Sequence, residues 1–78
     1  MKSLTLSTTA TQAGATPFAQ GFEVAGVVFG AGKIQGSDDG TNYTDLVTGT
    51  ASDLTVKSFL MPAYVKTSSG GAFLLADV

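Results

Sequence analysis

GKIQGSDDGTNYTDL, residues 32–46, is the stretch whose reading decides the fold. An Asp-Gly pair between two strand-like runs signals a hairpin, because glycine tolerates positive φ while Asp and Ser side chains bond nearby amides. On this reading Ser37, Asp38, Asp39, Thr41 and Asn42 are turn chemistry, and Tyr43 and Leu46 anchor the returning strand. Calcium loops instead place oxygen donors at alternating positions with a distal bidentate carboxylate. Here the acids are adjacent and no helix flanks them, so the turn is the better reading.

Working outward, GFEVAGVVF at 21–29 is β-branched and aromatic, with Phe22, Val24 and Val28 on one alternating face and Ala25, Val27 and Phe29 on the other. A strand apolar on both faces is covered on both, and in so short a chain the second cover is expected from a partner. Residues 43–47 and 54–61 read as further strands. In the second, Leu54, Val56, Ser58 and Leu60 alternate with Thr55, Lys57, Phe59 and Met61, and Pro62 ends the run. AYVKTS and AFLLADV, on either side of Gly70 and Gly71, read as a terminal hairpin. At the other end, Leu4 and Leu6 alternate with Ser3 and Thr5 as a short strand, and STTATQAGATP at 7–17 has no large apolar residue. Such a segment buries too little surface to offset its ordering entropy, so it is expected to be a mobile arm or to be ordered by a neighbour. No window of ten residues has helical periodicity. The expected fold is all-β, a small antiparallel β-sandwich or barrel of six to seven short strands with an extended N-terminal arm. Residues 1–17 form the strand and arm, and residues 18–78 a single sandwich domain.

Composition limits what such a domain does. At 78 residues the core is thin, and below about 80 residues a single core seldom supplies more than ~3–5 kcal/mol without a disulfide, a metal or a partner. Cysteine and histidine are both absent, which removes disulfides, thiolate sites, the commonest general base and the commonest zinc ligand. Only 13% of residues are charged against 44% apolar, whereas about a quarter charged is typical of soluble domains. Association is the remaining source of stability. Four basic residues and a net charge of -2 make a phosphate-tracking surface hard to build, so no nucleic acid partner is expected. No apolar run approaches the ~20 residues that span a bilayer, and no membrane partner is expected. The opening MKSLTLSTTATQAGATP lacks the apolar block of about 7–15 residues of a secretion signal.

Catalytic readings do poorly. Asp38, Asp39 and Asp45 would need to face one another across a cleft for acid–base work, and the serines and threonines have no histidine to activate them. The chain is therefore not expected to be an enzyme, and no cofactor or metal is implied. Phe18, Phe22, Phe29, Phe59 and Phe73 could line a sugar platform or fill the core, and core is the default, since Phe carries no hydrogen-bonding tip and no tryptophan is present to stack a sugar ring. Tyr64, beside Pro62, is the one aromatic expected at the surface.

Ile34, Gly36, Ser37, Asp39, Gly40, Asn42, Tyr43 and Leu46, followed by Tyr64, Val65 and Lys66, resemble a segment of discoidin-like β-sandwiches that also occurs in small bacteriophage virion proteins. The match covers a little over a third of the chain. Tyr43 stands where the pattern has tryptophan and Lys66 where it has arginine, and the long ligand-binding loops of full discoidin-like domains have no counterpart. What the resemblance implies is the framework, used as a capsid decoration (cement) protein that binds the outer surface of the head and stabilises it. The implied partners are the major capsid protein and further copies of the chain, a homo-oligomer expected as a trimer. The implied location is the capsid surface of a virion assembled in the host cytoplasm. The alternative is a small carbohydrate- or receptor-binding module of a phage tail or fibre, with Asp38, Asp39, Asn42, Tyr43 and Tyr64 near the ligand. The expected interface residues are Leu4, Leu6, Phe18, Val27, Phe29, Tyr64, Phe73 and Leu75.

Overall fold

Strand pairing begins at the Asp39-Gly40 tip and works outward along both arms of the chain. In the computed structural model, which describes residues 1–68 and 71–77, β4 (Lys33–Ser37) and β5 (Thr44–Thr48) pair antiparallel across the quoted turn. Around them β3 (Glu23–Phe29) pairs with β6 (Leu54–Leu60), β2 (Thr11–Gln12) with β7 (Tyr64–Thr67), and β1 (Lys2–Thr5) with β8 (Ala72–Ala76). Partners lie almost symmetrically about Gly40: Gln35 faces Asp45, Ala25 faces Ser58, Thr11 faces Val65 and Lys2 faces Ala76. The chain is thus one long hairpin. Two more ladders, β3 with β8 and β4 with β7, roll it into a front sheet ordered β1-β8-β3-β6 and a back sheet ordered β2-β7-β4-β5. Eight strands nested in this order over two sheets are a jelly roll.

Alternation decides which residues enter the space between the sheets. Val24, Val28, Ala72 and Leu74 enter from the front, Ile34, Val47 and Val65 from the back, and Leu6, Ala13, Phe18 and Met61 complete the core. At Gly26 the packing between the sheets leaves no room for a side chain, since a Cβ would lie 2.7 Å from the Phe59 ring and 2.8 Å from Ile34 Cδ1. The β4–β5 register shifts between Ile34 and Gln35, so Leu46 is an extra residue on β5. Both Leu46 and Val47 then pack into the core, and Leu46 fills the space over Gly36. The molecule measures 32 × 29 × 16 Å, the thin axis running through the two layers.

The all-β antiparallel sandwich is as expected, with eight strands where six to seven were anticipated. The segment 1–17 is not a separate arm: β1 borders the front sheet, β2 borders the back sheet, and Ala13 is buried. Backbone bonds to the open edges of β7 and β8 order this stretch, which has few large side chains to bury. The residues between β1 and β2 are tied in as well, since the Thr67 amide donates to the Ser7 carbonyl at 2.9 Å. The expected terminal hairpin does not form either, because β7 and β8 lie in different sheets and the chain crosses between layers to join them. At that crossing Gly71 has φ 89°, while Gly70 and the terminal Val78 lie outside the described residues.

Candidate interface surface

The outward face of the front sheet is apolar from β6 to β8. In the ladders Leu54 lies opposite Phe29, Val56 opposite Val27, and Val27 in turn opposite Phe73; Leu75 lies opposite Ala25. Leu60 is 65% exposed, Val56 58%, Leu54 57% and Phe29 54%. The Phe29 and Phe73 rings stand 5.7 Å apart at 35°. Val27 is buried yet belongs to this outer face, walled in by its cross-strand neighbours rather than by the other sheet. Ser3, Thr5, Glu23 and Ser58 share the face and rim it with polar groups. An apolar centre inside a polar rim is the anatomy of a protein interface, and apolar patches of this kind are rare on monomers. The edge strand itself is better guarded, because inward-pointing Lys57 is an exposed charge of the kind that blunts edge-to-edge pairing.

The outward face of the back sheet has the opposite chemistry. Lys33 Nζ meets Asp45 Oδ2 at 3.0 Å, and Gln35 Nε2 donates to Asp45 Oδ1 at 2.9 Å. These bonds, Gln35's first and Lys33's second, hold the Asp45 carboxyl below the usual carboxylate range. Lys66 Nζ sits 4.4 Å from the centre of the Tyr43 ring, within cation–π range.

At the hairpin tip the turn chemistry consumes Asp39, one of the two adjacent acids that invited a metal reading. Asp39 Oδ1 accepts bonds from the Thr41 and Asn42 amides, both at 2.8 Å, and from Ser37 Oγ at 2.8 Å. Asp39 Oδ2 accepts from Asn42 Nδ2 at 2.9 Å. The Asn42 and Thr41 amides lead in holding this carboxyl far below the usual range. Ser37 Oγ in turn accepts from the Gly40 amide at 2.9 Å, and Gly40 takes φ 78° beneath the Tyr64 ring. Beside the turn a depression of about 340 Å³ is floored by Gly36, Leu46 and Pro62 and rimmed by Asp38, Asn42 and Thr44. Among the described residues no group of three or more acids gathers as a metal site would need.

Of the residues anticipated at an interface, Val27, Phe29, Phe73 and Leu75 share the front face. Leu4, Leu6 and Phe18 do not: Leu6 and Phe18 are buried between the sheets and Leu4 packs against that core, because the N-terminal strand borders the front sheet instead of leaving it. Tyr64 lies at the hairpin tip, away from the patch. The largest exposed contributors, Leu54, Val56 and Leu60, were missed at this face, although their alternation with Thr55, Lys57 and Phe59 carried the signal. Comparison with protein-family models, with curated proteins and with solved structures finds no match to this chain.

Proposed function

We propose that this chain is a structural protein of a bacteriophage virion, a capsid decoration protein that binds the outside of the head as a symmetric oligomer and stabilises the shell. The observation that carries the reading is the apolar outer face of the front sheet, which leaves Leu54, Val56, Leu60 and Phe29 more than half exposed in the single chain. A protein that works by being covered needs such a face; an enzyme needs a cleft. The jelly roll fits as well, since viral capsid domains use it, although fold alone does not fix function. The phage assignment itself rests on the likeness of residues 34–46 and 64–66 to small virion proteins. Repetition by symmetry would let many modest contacts act together on the shell. The test is co-sedimentation of the purified full chain with phage heads stripped of their decoration, followed by heating. Binding with a raised temperature of head rupture is expected; unbound chain at saturating concentration would count against the reading.

A second reading, a carbohydrate- or receptor-binding module, draws on the depression beside the tip, because lectin domains also use this fold. Its aromatics are already occupied, Tyr43 by Lys66 and Tyr64 by Gly40. A glycan array with and without calcium separates the two readings, and strong hits would favour the module.

A further inference from the structure

We infer that the outer face of the front sheet is closed by a second copy of this chain, the two molecules stacking front sheet on front sheet about a two-fold axis. The inference rests on the oligomer of the reading above and is independent of its capsid.

Area is the first argument. The front sheet, four strands at ~4.8 Å spacing of which the longest run seven residues, spans roughly 19 × 23 Å, about 440 Å² in projection, against the about 800 Å² per partner of a standard interface. Only an occupant covering the whole face approaches that figure. A sheet packed at about 10 Å covers all four strands, and the front sheet of another copy has the matching size and twist. A three-fold axis would divide the face between two neighbours and leave each contact below half of the standard area. Edge-to-edge pairing through β6 would leave the face in water and bring Lys57 of each copy to the seam.

Charge is the second argument. Self-stacking requires a face that does not repel its own image. Along the three ladders of the front sheet the outward positions hold a single charged residue, Glu23, at one end of β3 on the rim. The centre, formed by Val27, Phe29, Val56 and Phe73, has none. Two copies therefore meet with no buried like-charge pair, whereas a strongly charged partner would find nothing to pair with here.

The experiment is sedimentation equilibrium of the purified full chain, with V56D and L60D on the face and T48D on the back sheet, each checked by circular dichroism. The wild type and T48D are expected to be dimers at tens of micromolar, while V56D and L60D weaken the dimer by about 100-fold or more and keep the strand spectrum. If the aspartate variants lose that spectrum, V56T decides, since threonine keeps the β-branched shape and removes apolar area; it is expected to weaken the dimer by about 10-fold. A monomeric or trimeric wild type, or a dimer indifferent to these changes, would overturn the proposal. None of the measurements involves a capsid, so failure of shell binding and failure of the dimer are separate outcomes.

Discussion

The two outer faces of this sandwich are built by the same strand alternation and come out as chemical opposites. The back face carries Lys33, Gln35, Asp45 and Lys66 in ion-pair, hydrogen-bond and cation–π contacts. The front face offers Leu54, Val56, Leu60, Phe29, Phe73 and Leu75 with Glu23 at its rim. Both faces are outward in the single chain, so geometry alone does not make a face polar. The ten charged side chains divide evenly between the two sheets and their ends, but those of the back sheet lie on its outward face or at its tip, while along the front ladders the one outward charge is Glu23. A chain selected only to fold and stay dissolved gains nothing by leaving the three strands β8, β3 and β6 apolar on the outside.

The largest effect separates two adjacent leucines on β8. Leu74 points inward and is fully buried, so Leu74→Ala is expected to cost ~2–5 kcal/mol, comparable to the ~3–5 kcal/mol a core this small supplies. Leu75 points outward, and Leu75→Ala is expected to cost about 1 kcal/mol or less at low protein concentration. Urea unfolding at two protein concentrations measures both. If the front face is covered by association, the L75A penalty grows with concentration while the L74A penalty does not. Equal penalties at every concentration would erase the distinction between the faces.

Gly26 and Ala25 repeat the comparison with added bulk. Gly26→Ala inserts a methyl group where Phe59 and Ile34 already stand, and is expected to cost ~1–3 kcal/mol in urea midpoints. Ala25→Val, one residue along and on the other face, is expected to be nearly neutral in the monomer because nothing overlies it and valine suits a strand. A neutral G26A would mean that the sheets separate more easily than their packing implies.

The sequence made the strands legible and left their partners hidden. The alternation of Leu54, Val56, Ser58 and Leu60 against Thr55, Lys57 and Phe59 located β6 and its two faces. Nothing local could say that β6 borders the front sheet, where no strand lies over its outward residues. Glycines and prolines mark where strands stop, so residues 64–76 read as a hairpin of neighbours, yet β7 and β8 pair with strands at least 27 residues away. Thr11 and Gln12 escaped notice because two residues carry no period and are held by backbone bonds to β7. The tip was the best-read part: Ser37, Asp39, Gly40 and Asn42 form a turn through bonds that span at most three residues. Local chemistry is legible from local sequence. Of the residues anticipated at an interface, Val27, Phe29, Phe73 and Leu75 do face outward, while Leu6 and Phe18 needed the topology to place them inside.

Asp39 gives the next effect, and its sign follows from the turn. Bonds to its carboxylate lower the folded-state pKa below the unfolded value of about 3.9, so their stabilisation is present above about pH 4 and fades as pH falls through the folded value. Asp39→Asn is expected to lower the urea midpoint at pH 7 and to flatten its fall between about pH 5 and pH 2. Every ladder is nested about this turn, and closing β4 on β5 shortens the loop each later pair must close. The variant should therefore refold more slowly while unfolding at nearly the wild-type rate, which stopped-flow traces would reveal. An unchanged refolding rate would place the start of folding elsewhere.

Asp45→Asn is expected to have the smallest effect on stability, although Asp45 is the most connected residue of the back face. Its ion pair with Lys33 is 42% exposed on both sides, and water and salt screen such pairs. Asparagine also retains an oxygen that can accept from Gln35 or Lys33. A slightly lower midpoint in low salt, converging with the wild type as sodium chloride is added, is the expected outcome. The same variant tests the front face from the opposite side, because the proposed dimer buries none of Lys33, Gln35 or Asp45. D45N should sediment like the wild type at every concentration. A dimer weakened by D45N and not by V56D would assign self-association to the polar face, and the apolar one would then have to be covered by something other than a second copy.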